Sequence, residues 1–73
     1  MKTLRECTVG SEVIVRKIHG TGPLKQRLMD MGIVRQAKLQ IYHVAPLGDP
    51  IEIRLRGYAL TLRKDELDII EVE

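Results

Sequence analysis

Two stretches of this chain alternate apolar and polar residues at every second position, and that rhythm limits the fold more than any other feature. In "AKLQIYHV", residues 37 to 44, Ala37, Leu39, Ile41 and His43 fall on one side and Lys38, Gln40, Tyr42 and Val44 on the other. In "IEIRLR", residues 51 to 56, Ile51, Ile53 and Leu55 face inward while Glu52, Arg54 and Arg56 face outward. Successive side chains of a strand point to opposite faces, so each stretch predicts a sheet with one buried and one solvated face. Sheets of that kind are antiparallel.

The remaining segments complete a small β fold. "EVIVRKIH", residues 12 to 19, is rich in β-branched residues and reads as a strand. Its alternation is imperfect, with Val13 and Val15 on one face and Ile14 and Ile18 on the other, and a bulge would let both pairs reach one core. "GTGP" then breaks the chain, and Pro23 suits the first position of a helix. From there the period changes: Leu24, Leu28 and Met31 form one helical stripe, which Gly32 can end in the left-handed conformation. "APLGDP" reads as a loop and Gly57 as a tight reversal into "YALTLR", with Leu60 and Leu62 inward. "KDEL" reads as a short polar turn before a last strand anchored by Ile70 and Val72. At the other end, Thr3-Leu4-Arg5-Glu6 has capping-box spacing and supports one helical turn. About five short strands with one short helix after the first predict a mainly β, small antiparallel barrel.

Size and composition narrow the classes. The 73 residues make one domain, residues 1–73, with room for only a small core. The apolar share of 44% contains no Phe or Trp. A net charge of +2 is too slight for a general electrostatic grip on nucleic acid. The single cysteine, Cys7, excludes a disulfide within the chain and fits a reducing compartment. No apolar run approaches the ~20 residues of a membrane span. The expectation is a soluble, cytoplasmic domain.

Candidate chemistry is sparse. Cys7, His19 and His43 are the candidate soft-metal ligands, but no two of them stand at ligand spacing, so no preformed metal site is expected and no cofactor beyond weak transition-metal binding. His43 follows the inward series at a barrel end, and His19 reads as solvated beside Gly20. Met31 lies on the packing stripe and reads as core filler. Ser11 is the only serine, and Asp65, Glu66 and Asp68 read as a solvated turn, so no nucleophile or acid–base pair is evident and no enzyme is expected. The outward Arg54 and Arg56 row is interrupted by Glu52 and lacks stacking aromatics, which argues against RNA. Two tyrosines cannot floor a proline-peptide groove. The helix says more. Met29 falls about 140° from Leu24 on the wheel and should be exposed. It reads either as a lone surface apolar residue or as a contact that a partner grips.

The arrangement of "GTG", "RLMDMGI" and "APLGDPIEIRLRGYALTLRKDEL" resembles the FeoA family, small accessory proteins of bacterial ferrous-iron uptake. The resemblance runs from about residue 4 to residue 72. Arg27-Leu28, Met31-Gly32, Ala45-Pro46, Gly48-Asp49-Pro50, Gly57 and Leu60 carry it. It implies an SH3-like barrel, a cytoplasmic protein, and work with a membrane ferrous-iron transporter that has a cytosolic GTPase domain. The same fold occurs at the end of iron-dependent repressors, a role disfavoured here because no DNA-binding segment precedes it. Two departures stand out: Gln36 replaces a usual glycine and Cys7 a usual leucine, with Cys7 expected to be buried. The expected function is therefore a docking module that tunes Fe²⁺ import from the inner face of the membrane, with Pro23, Lys25, Gln26, Met29 and Asp30 as contact surface. Arg54 and Arg56 are the second candidate surface. The alternative is a protein that itself binds or senses Fe²⁺. Open strand edges also allow self-association.

Overall fold

The alternating stretches form strands in the computed structural model, which describes residues 2–73. They are β1 (Glu12–Ile18), β2 (Lys38–Val44), β3 (Ile51–Leu55), β4 (Tyr58–Leu62) and β5 (Ile70–Val72). Helix α1 (Pro23–Asp30) follows β1, and a second helix, α2 (Lys64–Asp68), stands between β4 and β5. The strands form one sheet in the order β4-β3-β2-β1-β5, antiparallel throughout. It wraps a single core in which Val15, Leu39, Ile41, Ile53, Leu62 and Ile70 are closed over by Leu4, Leu28, Ile33 and Leu67 from outside the sheet. Cys7 is buried in the same core.

Two bulges decide which side chains face out. On β1 the register shifts between Val15 and Lys17, so Arg16 and Lys17 are both exposed and Ile18 returns to the core beside Val13 and Val15. Ile14 remains only half-buried. On β2 the register shifts between Ile41 and His43. Val44 thereby takes the inward place assigned to His43, and His43 is exposed, contrary to the plain alternation.

Helix α1 is built as its residues dictate, with Pro23 first and Gly22 before it. Leu28 is its one fully buried residue; Leu24 and Met31 are half-buried. Gly32 (φ 96°) ends it in a Schellman turn, its amide donating to the Met29 carbonyl and that of Ile33 to the Leu28 carbonyl, both at 3.0 Å. Tyr58 donates its hydroxyl to the Met31 carbonyl at 3.0 Å, fastening the helix end to β4.

The "KDEL" segment departs from expectation. It is helical, and Glu66, read as part of a solvated turn, is only 1% exposed. Its Oε1 accepts from the Arg63 amide at 2.9 Å, and its Oε2 from Arg27 Nη1 at 2.7 Å, which ties α2 to α1. Asp49 accepts from the Lys64 amide at 2.9 Å, so the β2–β3 loop also holds the start of α2.

Gln36 has φ 76°, a conformation that favours glycine, while its amide donates to the Val15 carbonyl at 2.8 Å. A side chain costs about 1–2 kcal/mol there, and a glycine gives back up to about 1 kcal/mol through the looser unfolded chain. Gln36→Gly is therefore expected to stabilise the domain by roughly 0.5–1 kcal/mol. The urea midpoint should rise at constant slope; a lowered midpoint would mean that the Gln36 side chain itself stabilises the turn.

Candidate partner-docking surface

The bulge on β1 turns Arg16 and Lys17 outward together, and α1 and the α1–β2 connection stand beside them. Between these elements lies a groove of about 460 Å³ lined chiefly by Arg16, Lys17, Lys25, Met29, Val34 and Arg35. Met29 is 41% and Val34 36% exposed, two apolar side chains set among cations. Of the residues expected on the helical surface, Lys25 and Met29 line this groove. Pro23, Gln26 and Asp30 are exposed but lie outside it, and Gln26 donates to Asp30 Oδ1 at 2.9 Å. Lys25 is half-buried.

Arg54 and Arg56 line a second groove of about 420 Å³ with Glu12, Gln36, Lys38 and Gln40. Its charges are largely matched at home. The Arg54 guanidinium lies 4.0 Å from the centre of the Tyr42 ring and its Nη2 3.5 Å from Glu52. Lys38 stands 3.9 Å from Glu12. Arg56 is exposed in the hairpin turn with φ 52°. Away from both grooves, Leu47 is 96% exposed at the tip of the β2–β3 loop.

The three metal candidates are scattered in role. Cys7 is buried and its thiol donates to the Thr3 carbonyl at 3.7 Å; burial pushes the thiol above its ordinary value. His43 is exposed on β2. His19 is half-buried rather than solvated, with Nε2 2.6 Å from Glu71 Oε1. Among the described residues, no group of three or more His, Cys, Asp or Glu side chains is placed to hold a metal ion.

Glu71 also receives Arg16 Nε at 3.2 Å. The hydrogen bond from His19 is the main reason that its carboxyl lies below the usual range, with the charges of His19 and Arg16 adding to it. A carboxyl with a lowered folded-state pKa adds stability above its unfolded value, near 4.3 for glutamate, and that stability is lost as pH falls through the folded value. Urea unfolding at stepped pH should show stability falling below about pH 4.3, and Glu71→Gln should flatten that part of the curve. Parallel acid losses in the two proteins would contradict the assignment.

Sequence reasoning missed Arg16, Lys17, Val34 and Arg35 as a group. The imperfect alternation of β1 is the one signal that placed two consecutive cations outside, and it says nothing of the loop they meet.

Compared with known proteins, the chain matches the family model of the FeoA domain over residues 2–73. The chain belongs to the FeoA domain family. A curated FeoA-containing relative is the Fe(2+) transport protein A/Fe(2+) transporter FeoB fusion protein of Porphyromonas gingivalis, 31% identical over 70 residues. That match covers 96% of this chain but 8% of the fusion protein's length. The solution structure of iron(II) transport protein A from Clostridium thermocellum matches with a TM-score of 0.93 at 38% identity, covering 99% of this chain and 44% of that one. Stenotrophomonas maltophilia FeoA complexed with zinc, described as a prokaryotic SH3 domain protein, matches in fold with a TM-score of 0.87 at 21% identity, covering 100% of this chain and 91% of that one. The mainly β fold of this FeoA chain is thus the SH3-like one.

The residues that carry the FeoA resemblance prove to be those that build this fold. Arg27 holds Glu66, Leu28 fills the core, Gly32 closes α1, Asp49 holds α2 and Gly57 turns the β3–β4 hairpin. The groove residues Lys17, Lys25, Met29, Val34 and Arg35 stand outside that set.

Proposed function

We propose that this FeoA-domain chain is a non-catalytic accessory component of ferrous-iron transport that docks on the cytosolic, GTPase-containing part of the membrane iron transporter. The observation that carries the reading is the fusion of a related FeoA domain to a FeoB transporter in one Porphyromonas gingivalis chain. Joining two modules in one chain raises the effective concentration of each for the other, which supports association even through a weak face. The groove beside α1 supports the same reading, since Met29 on the helix and Val34 on the α1–β2 connection give a partner apolar contact. Docking would hold the chain at the inner face of the membrane; no helix among the described residues is long and apolar enough to cross it.

An iron-binding role draws no support from Cys7, His19 and His43, which are respectively a buried hydrogen-bond donor, the partner of Glu71 and an exposed strand residue. Calorimetric titration of the chain into the transporter's isolated cytosolic part tests the docking reading. Saturable association is expected, weakened roughly tenfold or more by Met29→Glu, as for a charge driven into an apolar contact. No association with either that part or the intact transporter would refute it.

A further inference from the structure

We infer that the groove between α1, β1 and the α1–β2 connection receives an acidic protein segment carrying at least one apolar side chain; this rests on the docking reading and names the chemistry of what docks. Arg16, Lys17, Lys25 and Arg35 line the groove against one acidic residue, Glu71. Glu71 is already taken by His19 and Arg16. Among the described residues, Lys17, Lys25 and Arg35 have no carboxylate within 4.0 Å. Three cations therefore surround Met29 and Val34 with no internal counter-charge, although the chain as a whole carries only +2.

The second groove offers a contrast within the same molecule. There Arg54 is spent on Glu52 and Tyr42 and Lys38 on Glu12, which leaves Arg56 as the one lining cation with no carboxylate within 4.0 Å among the described residues, against three in the first groove. Complementary charge steers encounter and selects partners more than it adds affinity, so the unmatched groove is the one built to choose an acidic partner. A protein segment is favoured over an anionic bilayer because a related FeoA domain shares one chain with a FeoB transporter, which supplies a protein partner. An apolar side chain of the segment would lie against Met29 and Val34, whose thioether and branched methyls give adaptable contact.

The test uses the isotopically labelled chain and a synthetic acidic peptide of alternating glutamates and leucines, with a lysine-for-glutamate peptide and phosphatidylserine vesicles as the other arms. Amide shifts are expected at Lys17, Lys25, Met29, Val34 and Arg35 with the acidic peptide only. They should weaken several-fold as salt rises from about 50 to 200 mM, through screening of exposed charges. Lys17→Glu with Arg35→Glu, both at exposed positions, should abolish the shifts while leaving the spectrum folded; Arg56→Glu should leave them intact. Absent shifts, equal shifts around Arg54 and Arg56, or shifts with vesicles and not peptide would overturn the inference. Titration against the transporter's cytosolic part separates the two claims. Unaltered binding by the double variant removes the groove assignment and leaves docking standing. If the wild-type chain fails to bind the transporter, the docking reading falls, and the peptide arm still decides the groove.

Discussion

Leu28→Ala should destabilise the domain by about 2–5 kcal/mol, the range for removing a large buried aliphatic side chain and leaving its cavity. Leu28 is the only fully buried residue of α1, and it seats the helix on the sheet. A chain of 73 residues holds about 4–11 kcal/mol in all at ordinary per-residue stability. The variant therefore forfeits a large share of it, and its Tm should fall by at least about 10 °C. Met29→Ala, one residue further on an exposed face, should change stability by no more than about 0.5 kcal/mol. Thermal unfolding followed by circular dichroism separates the two variants. A Leu28→Ala midpoint within a few degrees of wild type would show that α1 is not seated by this side chain. The same helix carries Lys25 and Met29 to the groove beside β1.

The second large effect is expected at Glu66. Its carboxylate is buried, satisfies the Arg63 amide and receives Arg27. Glu66→Ala leaves that amide without its partner and breaks the tie between the two helices. The expected cost is roughly 2 kcal/mol, combining a lost cap with a lost charge-assisted bond. Arg27 contributes less than the 2.7 Å contact implies, because its side chain is 58% exposed and can turn to water when the pair is broken. Glu66→Gln, which retains an acceptor for the Arg63 amide, should cost about half as much as the alanine variant. Chemical denaturation of both variants, of Arg27→Ala and of the Arg27→Ala/Glu66→Ala double variant measures this. A coupling between positions 27 and 66 well above about 1 kcal/mol would show that the pair, rather than the cap, holds α2.

Much of this architecture was legible in the residues. Strict alternation located β2 and β3, the change of period located α1, and Pro23 and Gly32 marked its ends. The misreadings share physical causes. His43 was assigned inward because period-two reasoning assumes an unbroken ladder, and the bulge after Ile41 hands that place to Val44. Helix α2 escaped because a segment as polar as Lys64–Asp68 shows almost no apolar periodicity; its buried face is one leucine and one carboxylate. The glutamate three residues after Arg63, where it can accept from that residue's amide, was the available signal. Burial of Glu66 itself depends on Arg27 arriving from far along the chain. The site divides likewise. Lys25 and Met29 could be read from a helical wheel, whereas Arg16, Lys17, Val34 and Arg35 join them only once β1 bulges and the chain leaves α1.

Docking of the α1–β1 face on the transporter, as proposed, is tested most directly by amide-shift mapping. The isotopically labelled chain would be titrated with the transporter's isolated GTPase domain, with and without nucleotide, and in parallel with Fe²⁺ under anaerobic, reducing conditions. Shifts confined to Lys17, Lys25, Met29, Val34 and Arg35 are expected with the GTPase domain, and none with Fe²⁺. Silence toward the GTPase domain, with saturable Fe²⁺ shifts around Cys7, His19 or His43, would contradict it.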